Sequence, residues 1–134
     1  MAAMEGPGSV EEVAGQLRTA LESGDLSGFG ELLDPAVRWG PPGDPSPPCQ
    51  SRQQVLDWYQ RGRSKGAQAA VSELTVLGDR VVVGLVLAGT EAAQERGGRA
   101  LRWQVYTVRN GRVVDIVGFE LRSEAVDWAA APAT

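Results

Sequence analysis

The chain has 134 residues, 43% of them hydrophobic, a formal net charge of −4, one cysteine and no histidine. That length fits one globular domain with a single core, and the acidic balance argues against a nucleic-acid partner, which needs a basic face. A lone cysteine excludes an internal disulfide, and the lack of histidine removes Ser-His-Asp and Cys-His catalysis and strips a zinc site of its usual ligands.

Residues 1–8 are rich in glycine and proline and read as a disordered tail without the basic and apolar regions of a signal peptide. Ser9 and Glu12 have the spacing of a capping box, and Val10, Val13, Leu17, Ala20 and Leu21 recur at helical intervals until Gly24. Asp25 caps a second, short helix carrying Phe29, Leu32 and Leu33, which Asp34 before Pro35 stops. Val37, Arg38 and Trp39 form a short strand. Residues 40–48 hold five of the eight prolines and form an extended loop. Ser51 caps a third helix with Val55, Leu56, Trp58 and Tyr59 on its apolar face, and Arg61, Arg63 and Lys65 read as its solvated end.

From there the chain is β. Residues 70–77 form one strand, Gly78 and Asp79 a turn, and the nearly continuous apolar run 80–87 a strand buried on both faces. A polar loop over 91–98 leads to a long hairpin over 102–120, turning at Asn110-Gly111, a dipeptide suited to a type I′ turn. Residues 121–129 close with a helical turn, Arg122 and Glu124 outward, and 130–134 form a C-terminal tail, so that residues 9–129 make one domain. Helices first and mostly antiparallel strands after them define an α+β fold, with three helices on one face of a curved sheet. No apolar run approaches the ~20 residues of a membrane span, and no GxxxxGK[ST] or GxGxxG phosphate loop is present. The expectation is a cytoplasmic protein without cofactor, metal, nucleic-acid partner or membrane.

With Asn110 and Gly111 as the turn, Tyr106 pairs with Asp115, Gln104 with Val117 and Arg102 with Phe119. Alternation then puts Arg102, Gln104, Tyr106, Val108, Val113, Asp115, Val117 and Phe119 on one face, unless a bulge swaps part of it. This mixed polar and aromatic face is assigned to a pocket. Trp39, Trp58, Tyr106 and Phe119 would form an apolar wall, Arg102 and Gln104 would orient a ligand carbonyl or carboxylate, and Asp115 would be the acid/base group. The opposite face, with Trp103, Val105 and Ile116, is assigned to a homodimer interface, since left bare it would be a large apolar patch. Plainer readings stand beside these: Tyr106 and Asp115 as a cross-strand pair, Trp39 and Trp58 as core, Cys49 as an inert thiol and Asp34 as a helix stop.

The blocks Leu32-Leu-Asp-Pro-Ala-Val-Arg-Trp39, Cys49-Gln-Ser-Arg52, Trp103-Gln-Val-Tyr-Thr-Val-Arg-Asn-Gly-Arg112 and Gly118-Phe-Glu-Leu-Arg-Ser-Glu-Ala125, in this order and spacing, resemble the nuclear transport factor 2 superfamily. Within it they are similar to the SnoaL-like proteins related to polyketide cyclases and ketosteroid isomerase. The resemblance implies a cone-shaped, curved, mostly antiparallel sheet wrapped around N-terminal helices, a pocket between them, and dimerisation through the sheet. Function does not follow from such a fold. The general-base Asp of ketosteroid isomerase-like enzymes matches Gly40, before Pro41, and their oxyanion-hole Asp falls near Gln104. The Arg-x-Asp of limonene-epoxide-hydrolase-like enzymes is reduced to Arg102-x-Gln104, leaving Asp115 as the one carboxylate. The expected function is a small-molecule pocket protein for a largely apolar, polyketide- or steroid-like ligand, with or without cyclase or isomerase activity. The alternatives are a non-catalytic binding or dimerisation module and an epoxide-hydrolase-like enzyme with a degraded motif.

Overall fold

The computed structural model describes residues 9–44, 46–66, 68–89 and 97–131. The N-terminal tail, most of the 91–98 loop and residues 132–134 lie outside these residues. Helix α1 (Val10–Ser23) opens on the capping box: Ser9 Oγ accepts the Glu12 N–H, and the Glu12 carboxylate accepts the Ser9 N–H. It ends at Gly24, whose φ of 72° favours a residue without Cβ. Its buried stripe is Val13, Ala14, Leu17, Ala20 and Leu21. In α2 (Leu26–Leu32), Asp25 accepts the Gly28 N–H at 3.0 Å. Strand β1 (Leu33–Gly40) begins four residues earlier than expected. Pro35 is tolerated there because β1 is an edge strand, and the chain arches away from its neighbour between Leu33 and Arg38. Asp34 serves that arch, accepting the Ala36 N–H at 2.9 Å.

Helix α3 (Arg52–Ser64) is capped by Ser51, and four strands follow: β2 (Gln68–Leu77), β3 (Arg80–Ala88), β4 (Ala100–Arg109) and β5 (Arg112–Phe119). The sheet order is β1-β5-β4-β3-β2, parallel only between β1 and β5. At the β4–β5 turn, Asn110 and Gly111 both have positive φ, 53° and 76°. Helices α1 to α3 and one sheet face enclose the main core, which includes Leu17, Leu33, Val81, Val83, Tyr106 and Ile116. Among the described residues no helix is long and apolar enough to cross a membrane.

The hairpin register differs from the expected one. Arg109 faces Arg112 and Val108 faces Val113, but Thr107 then faces Asp115, Tyr106 faces Ile116 and Gln104 faces Gly118. Val114 is the extra residue of a β-bulge, and every side chain beyond it changes face. Ile116 and Gly118 therefore join Gln104 and Tyr106 on the helix side, while Asp115, Val117 and Phe119 move to the outer side.

The C-terminal segment is a full helix, α4 (Arg122–Ala130), rather than a closing turn. It lays Ala125 and Ala129 over Val82, Trp103 and Val105 in a second core on the outer face. Arg80 holds its last turn, donating from Nη1 to the carbonyls of Trp128 at 2.8 Å and Ala131 at 2.9 Å. Arg122 holds its first turn through a two-pronged pair with Glu73, Nη2 to Oε2 at 2.7 Å and Nε to Oε1 at 3.0 Å. The face expected to be a bare dimer surface is thus corrected: Trp103 and Val105 are buried beneath α4 of the same chain, and Ile116 lies in the helix-side core.

Trp103 fits under α4 because its cross-strand partner is Gly84. A Cβ on Gly84 would sit 2.5 Å from Trp103 Cζ3 and 2.8 Å from Ser72 Oγ. Gly84→Ala should therefore destabilise the fold by about 1–3 kcal/mol, through overpacking of a well-filled core. Urea unfolding checks this, and a wild-type midpoint would mean that Trp103 is free to move.

Candidate functional site

Between α1, α2, α3 and the helix-side sheet face lies a cavity of about 610 Å³. Aromatic rings from three elements meet along one side. Phe29 of α2 meets Tyr59 of α3 edge-on at 4.7 Å, Tyr59 stacks on Trp39 of β1 at 5.1 Å, and Trp39 meets Trp58 edge-on at 6.0 Å. Helical spacing brings Leu56 and Tyr59 to the inner side of α3, while Trp58 is 53% exposed at the cavity edge with the Arg61 guanidinium 5.7 Å over its ring. Leu85, Leu87 and Ala69 complete the apolar lining from β3 and β2.

The polar element of the interior is a chain of neutral groups. Tyr106, fully buried, donates its hydroxyl proton to Gln104 Oε1. Its oxygen lies 3.4 Å from the Tyr59 hydroxyl. An amide oxygen can only accept, so the Tyr106 proton is committed to Gln104 and Tyr59 donates to Tyr106. Gln104, 8% exposed and part of the lining, shares its NH₂ donors between Tyr59 and the cavity. Burial pushes the Tyr59 hydroxyl above its ordinary pKa against the opposing effect of hydrogen bonds with Tyr106 and Gln104. Burial and the neighbouring Tyr59 push Tyr106 far higher. Both phenols are neutral at physiological pH. The sequence pattern places Tyr59 on an apolar helix face without marking its hydroxyl; the signal for it is the one-residue offset from Trp58, which turns the two rings to different sides of α3.

Trp39, Trp58, Arg102, Gln104 and Phe119 border the cavity. Phe119 does so at the edge, with its ring turned to Trp128 of α4 at 5.9 Å. Tyr106 lies behind Gln104 and reaches the cavity through it. Asp115 is not among the lining residues: the bulge points it to the outer face, opposite Thr107 and beside Arg38 of β1. There burial raises its pKa, opposed by the positive charges of Arg38, Arg80 and Arg109. The expected Tyr106–Asp115 pair is therefore corrected, and with it the placing of a carboxylate beside Gln104. Among the described residues, the carboxylates that border the cavity, Asp25 and Glu120, are exposed, and Glu120 lies 4.0 Å from Arg102. Gly40, where a ketosteroid isomerase-like base would stand, packs against the proline loop, and a Cβ there would fall 2.5 Å from Pro47 Cβ. Cys49, paired through its backbone with Trp39, has its thiol pKa raised by burial. No group of three potential metal ligands occurs among the described residues.

A model of the SnoaL-like domain family matches residues 14–116. No curated protein matches the sequence. Among solved structures, a candidate polyketide cyclase from Sinorhizobium meliloti shares 18% identity, with a TM-score of 0.63 over 89% of this chain and 100% of its own. A candidate ketosteroid isomerase from Kribbella flavida shares 19%, with a TM-score of 0.68 over 84% and 78%. TerC, co-crystallised with polyporic acid, shares 18%, with a TM-score of 0.62 over 91% and 98%. At such identities the likeness is one of fold: α+β, with a curved mixed sheet.

The raised pKa of Asp115 has a signed consequence. Its ionised form is less favourable in the folded than in the unfolded chain, so stability falls as pH rises from the ordinary carboxylate value of about 4 through the raised one. Below that window the penalty is absent. Asp115→Asn should be at least as stable as wild type at pH 7, with the difference closing below about pH 4. Thermal melts across pH test this, and a variant clearly weaker than wild type at pH 7 alone would mean that the three arginines outweigh burial.

Proposed function

The chain belongs to the SnoaL-like domain family, and on that premise we propose that it binds a small, largely apolar molecule of polyketide- or steroid-like type. The observation that carries this reading is the cavity itself. Its volume of about 610 Å³ lies within the usual range of small-molecule sites, and its composition, apolar walls around a few convergent polar groups, is theirs as well. Trp39, Tyr59 and Phe29 contact the apolar body, the NH₂ of Gln104 donates to a ligand oxygen, and Arg102 and Trp58 stand at the edge. The fold neighbours support the ligand class: one is a candidate polyketide cyclase and another was crystallised with polyporic acid.

Binding is favoured over turnover. Acid/base chemistry needs a carboxylate or equivalent within reach of the ligand. Asp115 faces away, the base position is the side-chain-less Gly40, and Tyr59 has its proton committed inward. Arg102-x-Gln104 likewise lacks the carboxylate that an epoxide-hydrolase-like reaction would use. The protein acts in this reading as a cytoplasmic, cofactor-free carrier or sequestering module. It pairs with a second copy through the outer side, where Leu101 and Leu121, 43% and 58% exposed, flank α4. Static light scattering should then give about twice the monomer mass of 14.2 kDa; a monomer at micromolar concentration removes the dimer from the reading.

Gly118 supplies a specific test of the site. It borders the cavity opposite Gln104, and a Cβ built on it meets nothing within 4 Å. Gly118→Leu should intrude into the cavity beside Gln104 without strain, keeping the fold and weakening saturable quenching of tryptophan fluorescence by a steroid and by an aromatic quinone. Gln104→Leu should weaken binding by about 1–2 kcal/mol, roughly five- to thirtyfold, for one lost buried hydrogen bond. Absence of saturable quenching in the wild type, or equal quenching in Gly118→Leu, would instead favour a dimerisation module with an idle cavity.

A further inference from the structure

The cavity is graded from a neutral interior to a charged mouth. Inside, Phe29 and Leu85 are buried and the polar groups are two phenols and an amide. At the opening stand Arg61 and Arg63 from the last turn of α3, Lys65 just beyond it, and Arg102 from β4. Against these four cations the described residues of the opening include two carboxylates, Asp25 and Glu120. Among the described residues its excess is positive, although the chain as a whole is at −4. Asp25 is committed to capping α2, and the Glu120 contact with Arg102 is at the 4.0 Å limit of an ion pair.

Basic residues at a helix C-terminus have an ordinary explanation, since they offset the negative end of the helix dipole. That accounts for Arg61 and Arg63 as residues of α3. It does not account for Arg102, which arrives from the sheet, nor for where their side chains lie. Arg61 sits over the exposed ring of Trp58, and the Arg63 guanidinium covers Gly24, where even a Cβ would come within 2.2 Å of Nη1. Both side chains are exposed, yet each rests against a wall of the opening, Arg61 on Trp58 and Arg63 on Gly24. Among the described residues no carboxylate lies within ion-pair distance of Arg61, Arg63 or Lys65. Cations gathered around an apolar mouth raise the local concentration of anions and orient them head-out.

We propose that the ligand is an amphipathic organic anion: its apolar, aromatic body enters the cavity and its acidic group stays at the mouth, between the Arg61–Lys65 segment and Arg102. This rests on the cavity being the ligand site and adds the charge and the orientation of what it takes. It reassigns the Arg61, Arg63 and Lys65 cluster from a solvated helix end to an anion collar. Because the negative group is read at the mouth, neutral steroid-like molecules fit the interior but forgo that contact.

Two probes with one aromatic frame separate charge from shape: 8-anilino-1-naphthalenesulfonate carries an anionic group, and N-phenyl-1-naphthylamine lacks it. Fluorescence titration of the folded wild type at low salt gives the ratio of their affinities. In a variant combining Arg61→Gln, Arg63→Gln and Lys65→Gln, that ratio should shift against the sulfonate by roughly tenfold, the size expected of a few solvent-exposed charge contacts. Raising the ionic strength to about 0.5 M should shift the wild-type ratio the same way, as screening shortens the reach of the collar. A control combining Arg18→Gln, Arg109→Gln and Arg112→Gln removes the same charge away from the mouth and should leave the ratio in place. An unchanged ratio in the first variant, or an equal shift in the control, overturns the collar while leaving the cavity reading intact. If neither probe binds saturably to the wild type, the cavity reading falls and the collar falls with it.

Discussion

One extra residue in β5 decides what kind of interior this protein has. Without the bulge at Val114, strict alternation would set Asp115 beside Tyr106 in the helix-side core, where an ionised carboxylate costs several kcal/mol unless fully paired. The bulge turns Asp115 outward to Arg38, Arg80 and Arg109 and puts Ile116, fully buried, beside Tyr106. Among the described residues the cavity interior is thereby left with neutral hydrogen-bonding side chains, and Gly118 is brought opposite Gln104, where it adds space instead of a side chain. Charge is sorted to the outside of the sheet and to the cavity mouth.

The same sorting explains the two-sided packing. A sheet with apolar residues on both faces has to cover both. Helices α1 to α3 cover one face and α4 the centre of the other, held at its two ends by Arg80 and Arg122. The aromatic series Phe29, Tyr59, Trp39 and Trp58 ties α2, α3 and β1 into one side of the cavity, and the Tyr59 hydroxyl ties that side to the sheet through Tyr106. Interior shape thus depends on contacts between elements distant in sequence.

The elements were legible where local chemistry is decisive. Ser9 with Glu12, Asp25 and Ser51 cap their helices as their side chains dictate, Gly24 ends α1, and Asn110-Gly111 makes the turn it favours. The mixed α+β order and the family resemblance followed from these. What was not legible depends on a one-residue insertion or on a long-range contact. Val114 looks like any other apolar strand residue, so nothing local announces the bulge that redirects Asp115, Val117 and Phe119. The weak amphipathicity of residues 122–130, with alanines as the only buried positions, hid a helix whose purpose is to cover Trp103. Trp39, Trp58, Arg102 and Gln104 were placed at the cavity because their positions precede the bulge or lie off β5 altogether. Tyr59 was missed because its hydroxyl partner is 47 residues away.

The central claim is therefore the hairpin register, and cross-strand proton–proton contacts measured by nuclear Overhauser spectroscopy test it most directly. The account predicts contacts joining Val108 with Val113 and, past the bulge, Tyr106 with Ile116 and Gln104 with Gly118. Contacts joining Tyr106 with Asp115 and Gln104 with Val117 would contradict it, returning a carboxylate to the cavity and reopening acid/base chemistry there.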